Sequence, residues 1–313
     1  MEEKVIKTGL RGITIASTKI SDVDGAIGKL VYRGYLAKDL AGKVSFEETA
    51  YLLLYEELPD EEELADFKEH LARERTVPEE LIAFLETSPK DALPMDILQA
   101  SVSILAQFDP DLKEATRKGS ARMAIRMIAK FATIVAAWDR IRNRQKPIFP
   151  NPGLDHAANF LYMLNGEVPD AELAGYFDAC LVLHAEHSFN ASTFAAREVA
   201  STRAHMYAAV GAAVGSLSGA LHGGANTRVM QMLLGIGSVD KVDEYVRSTL
   251  EKGGVIMGLG HAVYQTDDPR AHILAPMSKA LGERAGNTLW YDLSKALEAK
   301  GKAAFKEKKG RDI

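Results

Sequence analysis

One cysteine, Cys180, stands in the 313 residues, so no intrachain disulfide and no cysteine-based metal cluster can form. It lies in the largely apolar run Tyr176-Phe177-Asp178-Ala179-Cys180-Leu181-Val182, which reads as helix with a buried, inert thiol. Such cysteine usage is compatible with a reducing compartment. No run of 18 apolar residues occurs, so no transmembrane helix is expected. The N-terminal MEEKVIKTGL is charged and lacks the apolar stretch of a secretory signal, which makes the cytoplasm the default location. An excess of basic charge is also missing. Lys and Arg number 38 against 43 Asp and Glu, for a net charge of -5, and nothing asks for nucleic acid or a membrane surface as partner. No repeat of solenoid period and no low-complexity tract is present.

What remains is ordinary soluble composition, 47% apolar and 26% charged, in a chain long enough for a large core and more than one domain. Thr8-Gly9-Leu10-Arg11-Gly12-Ile13-Thr14-Ile15 and Gly28-Lys29-Leu30-Val31-Tyr32-Arg33-Gly34-Tyr35 are short glycine-bounded apolar runs. They predict a small hairpin or extended arms. Helix signals dominate afterwards. Ser45-Phe46-Glu47-Glu48 fits a capping box that opens a helix through Tyr55, before Pro59. Further helices are predicted over 60–75, 94–108 and 119–143. A proline-rich breaker follows at 146–153. Helices resume at 154–164, 169–185, 202–221, 226–235, 239–252, 270–284 and 287–308. The fold class is therefore mainly α with a minor N-terminal β element.

In the segment 202–221, Gly211, Gly215 and Gly219 recur every four residues and share one helix face. Each costs about 1 kcal/mol in a helix interior, so a closely approaching helix, within or between subunits, is the expected compensation.

Three segments carry candidate chemistry: His184–Thr193, Leu221–Asn226, and Gly258–Tyr264 followed by Asp268-Pro269-Arg270. His184 and His187 are close enough on a helix to share a metal. Yet no His-Glu-x-x-His spacing or further ligand cluster accompanies them, so no metal is expected. Glycines beside His222 and His261 suggest close backbone approach to a ligand and exposed N–H groups, with a helix starting just after each histidine. A neutral imidazole in such a place can donate to a carbonyl that becomes an enolate, or act as acid toward an alkoxide. The plainer alternative is a satisfied loop histidine. Gly258-Leu259-Gly260 lacks the third glycine of a dinucleotide loop, and no clear strand precedes it. Arg270 is either a surface helix-start residue or a bidentate carboxylate clamp.

Together, Leu221-His222-Gly223-Gly224-Ala225-Asn226, Met257-Gly258-Leu259-Gly260-His261-Ala262-Val263-Tyr264 and Asp268-Pro269-Arg270 resemble the citrate synthase family. The resemblance runs along the whole chain and includes Gly28–Tyr35, Phe131–Ala136, Ala157–Met163 and Glu186–Thr193. It implies a mostly helical homodimer, with a large domain over 1–220 and a small one over 221–313, and a site in the cleft between them. It implies an acyltransferase that condenses acetyl-CoA with oxaloacetate and then hydrolyses the thioester to citrate and CoA, with no cofactor beyond the CoA thioester substrate. By that resemblance His222 donates to the thioester carbonyl and His261 protonates the oxaloacetate carbonyl. His187 and Arg270 hold oxaloacetate, and Ser192 supports His222. Val255, Ile256, Met257, Gly258, Leu259 and Gly260 receive CoA.

One departure accompanies it. The family's third catalytic residue is an aspartate in a motif that follows the small-domain helices, and the chain stops in that region. Lys309-Gly310-Arg311-Asp312-Ile313 resembles the stretch before the motif, and Asp312 does not match the base by context. A longer protein, a truncation and a short homologue with lost or changed activity are the three explanations. Little synthase activity is expected of the 313-residue polypeptide. Alternatives sharing the same residues are 2-methylcitrate synthase using propionyl-CoA, and a catalytically silent homologue acting in binding or assembly.

Overall fold

The computed structural model describes residues 16–260 and 263–309; the run Thr8–Ile15, His261, Ala262 and residues 310–313, including Asp312, lie outside it. The second glycine-bounded run supplies β2 (Lys29–Tyr32) and opens β3 (Tyr35–Leu36) of a three-stranded antiparallel sheet, whose first strand, β1 (Ser21–Asp24), precedes the run. Ser21 pairs with Tyr32, Asp24 with Lys29, and Val31 with Leu36. Arg33 (φ 46°) and Gly34 (φ 96°) turn β2 into β3 with both residues left-handed, as the twist of a two-residue hairpin turn requires. Leu30 and Tyr32 pack against Leu40, Leu52, Val182 and Leu183.

The rest is helical: α1 (Ala37–Leu40), α2 (Phe46–Tyr55), α3 (Glu61–Arg73), α4 (Glu79–Thr87), α5 (Pro94–Leu105) and α6 (Arg117–Arg142). The breaker leads to α7 (His156–Asn165), α8 (Ala171–His184), α9 (Ala191–Ser201) and α10 (Met206–Leu217). Then come α11 (Gly224–Ile236), α12 (Val242–Glu251), α13 (Ala271–Arg284) and α14 (Leu289–Lys309). The predicted capping box closes as expected. The Ser45 N–H donates to Glu48 Oε2 at 2.7 Å, and the Glu48 N–H donates to Ser45 Oγ at 3.2 Å.

The largest core cluster joins Met123, Met127 and Ile134 of α6 to Leu81, Val102, Leu105 and Tyr207. A buried ionic clamp closes one end. Arg126 donates to both oxygens of Asp109 at 2.7 and 2.8 Å, and the Tyr207 O–H donates to Asp109 at 2.5 Å. Arg122 and Arg126 both hold Asp111. Burial pushes the Asp109 carboxyl up, and the Arg126 and Tyr207 hydrogen bonds outweigh that and bring it below the usual carboxylate value. A separate apolar cluster draws on the C-terminal part: Leu233, Ile236, Val242, Val246, Ile256, Leu293 and Leu297.

Three features differ from the sequence expectations, and the close approach at the helix glycines is found within the chain. Helices α1, α4 and α9 were not predicted. The helix placed at 202–221 is α10, bounded by Met206 and Leu217, so Gly219 lies past its end in a turn. The close approach at its glycines comes from α5 of the same chain: Gln99 Nε2 donates to the Gly211 carbonyl at 3.1 Å, and a Cβ on Gly215 would collide with the Gln99 amide. Finally, no helix starts directly after position 261, because the next one, α13, opens at Ala271. Among the described residues, no helix is long and apolar enough to cross a membrane.

Candidate active site

Two short turns bring the candidate residues into place. The first links α8 to α9. It contains Ser188 in the left-handed region (φ 57°) and ends at Asn190, whose side chain caps α9 by accepting from the Thr193 N–H at 3.0 Å. Glu186 fixes this turn to the sheet, since its Oε1 accepts from Ser188 N–H and, at 2.8 Å, from Ser21 Oγ. His187 therefore sits in a turn tied at both sides, and Ser192 falls in the first turn of α9.

The second turn links α10 to α11 and carries His222. Its Nε2 lies 2.7 Å from Ser192 Oγ, so the structure brings these two residues into one hydrogen bond. The neighbouring glycines have a different reason from the one expected. His222 and Gly224 both donate their N–H groups to the Gly219 carbonyl, at 2.9 and 3.1 Å, closing the turn rather than standing open to a ligand. A Cβ on Gly223 would collide with the Leu217 carbonyl, so the chain folds back too tightly for a side chain there.

The loop 255–270 carries the remaining candidates. Val255 is 72% exposed, whereas Ile256 is 5% exposed and belongs to the C-terminal core cluster. Leu259 packs against the same cluster, on Gly301. The side chains of Ile256 and Leu259 are thus committed to the core, which leaves Val255, Met257 and the backbone at Gly258 (φ 87°) and Gly260 (φ 84°) for a ligand. Tyr264, 5% exposed, places its hydroxyl 3.1 Å from His187 Nε2, with the rings edge-on at 5.5 Å. His184, by contrast, places Nδ1 2.6 Å from the Cys180 carbonyl. Among the described residues no three His, Cys, Asp or Glu side chains are grouped to hold a metal ion.

Arg270 forms a fork with Asp268: Nε lies 2.9 Å from Oδ1 and Nη2 lies 2.6 Å from Oδ2. That hydrogen-bonded pairing raises the arginine's already high pKa, so the guanidinium is held charged. Its Nη1 edge makes no hydrogen bond among the described residues. The same guanidinium lines a cavity of about 280 Å³ with Gly28, Lys29, Leu30, Leu183 and Pro269. Arg270 thus stands at the α13 start with its Nε and Nη2 turned to Asp268.

The structure brings together Ser192 with His222 and, separately, His187 with Tyr264, next to Asp268 and Arg270. Tyr264, Asp268 and Glu186 were not singled out from the sequence. Each stands in or beside a quoted motif, and that adjacency was the one signal available.

The model of the family described as "Citrate synthase, C-terminal domain" matches residues 9–313. Citrate synthase of Haloferax volcanii is 44% identical over 298 residues, covering 94% of this chain and 79% of that protein. A 2-methylcitrate synthase of Mycobacterium tuberculosis is 40% identical, covering 95% and 75%. Among solved structures, citrate synthase from Pyrobaculum aerophilum superposes with a TM-score of 0.87 at 37% identity, over 93% of this chain and 75% of that one. The Thermoplasma acidophilum citrate synthase, in ternary complex with carboxymethyl coenzyme A and oxaloacetate, gives a TM-score of 0.90 at 28% identity, over 96% of this chain and 79% of that one. With a family model matched over residues 9–313, relatives 40 to 44% identical over most of its length and the same helical fold, the chain belongs to the citrate synthase family.

Proposed function

We propose that this acyltransferase of the citrate synthase family condenses acetyl-CoA with oxaloacetate, using His222 and His261 as its catalytic histidines and His187 and Arg270 to hold oxaloacetate. The observation that carries the reading is the pair of supported groups around the α8–α9 turn: His222 on Ser192 and His187 on Tyr264, with the Arg270 fork beside the latter. A thioester α-proton is weakly acidic, so its removal needs a donor at the carbonyl. Ser192 holds His222 by Nε2, which fixes the ring for that donation. His261 then delivers a proton to the oxaloacetate carbonyl as the new carbon–carbon bond forms, and water cleaves the citryl thioester to citrate and CoA. The carboxylate base that takes the α-proton is assigned to no described side chain. Oxaloacetate is a dianion, which suits the guanidinium fork of Arg270. Residues 255–260 receive CoA, with the exposed Val255 and the glycine backbone as the contact surface.

The separate C-terminal apolar cluster supports a two-domain division at 1–220 and 221–313. A homodimer is supported by α9, which lies along α10 yet has no residue buried within one chain. A cytoplasmic enzyme feeding citrate into the tricarboxylic acid cycle, needing no cofactor beyond its CoA substrate, completes the reading. Because 2-methylcitrate synthases are also 40% identical, propionyl-CoA is the second acyl donor to test.

Calorimetric titration of oxaloacetate, followed by acetyl-CoA or propionyl-CoA, tests this directly, with CoA release assayed alongside. Saturable oxaloacetate binding that vanishes in Arg270→Ala, with unchanged circular dichroism, supports the site. Full binding in that variant removes Arg270 from it, and tighter binding or faster release with propionyl-CoA favours the second donor.

A further inference from the structure

Tyr264 is a phenol buried beside two proposed oxaloacetate-holding groups, and three contacts decide what it can do. Its hydroxyl meets His187 Nε2 at 3.1 Å. Its ring meets the His187 ring edge-on, with centroids 5.5 Å apart and 80° between planes. The backbone on both sides of it is held by the β1–β2 turn: the Gln265 N–H donates to the Gly25 carbonyl at 2.8 Å, and Gly25 abuts the Val263 carbonyl so closely that a Cβ could not fit. The same sheet holds the His187 turn through Ser21 and Glu186. Both partners of the pair are therefore anchored to one hairpin, which limits the ways the pair can drift apart.

Burial raises the Tyr264 pKa, with Asp268 adding to the effect and Arg270 opposing it, so the hydroxyl remains protonated through neutral pH. A buried tyrosine hydroxyl requires an acceptor, and a neutral imidazole nitrogen is one. When Nε2 accepts, the proton of neutral His187 must reside on Nδ1.

We propose that Tyr264 is a positioning residue for oxaloacetate: its O–H donates to His187 Nε2, fixing the Nδ1–H tautomer and the ring angle with which His187 meets the substrate. This rests on the reading of His187 as an oxaloacetate-holding residue. The role belongs to the hydroxyl alone, because a phenylalanine would keep the ring packing and lose the donor.

The test uses the full chain labelled with ¹⁵N-histidine, together with Tyr264→Phe and His187→Asn. His187→Asn identifies the His187 signals among the eight histidines by their disappearance. Nitrogen chemical shifts of the unliganded protein then report which ring nitrogen carries the proton. In the parent, Nδ1 is expected to be protonated and Nε2 bare. In Tyr264→Phe the two tautomers mix, and oxaloacetate binds roughly tenfold more weakly by calorimetry, as loss of one hydrogen bond to a polar site entails. An unchanged tautomer in Tyr264→Phe overturns the proposal, whether or not oxaloacetate binding weakens. Unchanged oxaloacetate affinity in Tyr264→Phe, alongside a loss in His187→Asn, overturns it while leaving the site reading intact. Unchanged affinity in His187→Asn overturns the site reading beneath it.

Discussion

At the scale of single residues, the fork between Arg270 and Asp268 makes the sharpest demand on side-chain identity. Two parallel N–H donors meet two carboxylate oxygens, a geometry that a planar guanidinium has and an ammonium lacks. Arg270→Lys keeps the charge and loses the plane. The expected result is oxaloacetate binding weakened about tenfold or more, by calorimetry, with little change in the unfolding midpoint. An affinity equal to the parent's would mean that Arg270 acts as a point charge only. His222 and Ser192 were legible in the sequence because their motifs are local and specific. Tyr264 was not, since its contact depends on which distant turn the loop meets, whereas Asp268 meets Arg270 within its own motif. Tyr264 and His187 are far apart in sequence, and nothing in either motif announces that they touch.

Among the elements, legibility followed capping chemistry. The start of helix α2 was legible because Ser45 and Glu48 close a capping box. Helix α10 was misread at its start because its cap is His205, whose Nδ1 accepts from the Ala208 N–H at 3.1 Å. Histidine is outside the usual set of serine, threonine, aspartate and asparagine, so 202–205 read as helix. Helix α9 was missed although Asn190 caps it, because its large apolar residues are few, Phe194 and Val199, and none of its residues is fully buried within one chain. The hairpin was legible as strands, but not as the element that holds the loop 263–270. Gly25→Ala tests that holding role. A Cβ there meets the carbonyl of Val263, which is backbone and cannot rotate away. The hairpin tip or the loop must shift, and the Gln265–Gly25 hydrogen bond is expected to lengthen or break. Hydrogen exchange at 263–270 should quicken and oxaloacetate binding should weaken, with helix content unchanged. Exchange at the parent's rate would show that the loop holds itself.

For the whole molecule, acid response is set by buried charge. The Asp109 carboxyl is held below its ordinary value, so the clamp's contribution is complete above that value, 3.8, and is lost as pH falls beneath it. Two further groups, joined through Phe46, act at milder pH and in opposite senses. Asp178 of α8 accepts from the Phe46 N–H at 2.9 Å, and the Phe46 ring lies 5.0 Å from that of His156. Burial, with Glu47 and Asp155 adding and the Phe46 N–H and Lys68 opposing, raises Asp178 to about 6. Its charge therefore costs stability at neutral pH, and that cost is relieved as pH falls from about 6 toward 3.8. Burial, with Arg75 adding, lowers His156 to about 4 from 6.5. The unfolded chain takes up that proton first, so stability is lost as pH falls through the same interval. The two nearly cancel, and the parent should show a flat stability profile there. Asp178→Asn keeps an oxygen to accept from Phe46 and removes the charge. It should exceed the parent in stability at about pH 7.5 and converge with it near pH 4, leaving a profile that declines with acid because His156 now acts unopposed. Urea unfolding across that range measures both curves. A constant offset between them, or a less stable variant at neutral pH, would show that Asp178 contributes through its hydrogen bond and not through its charge.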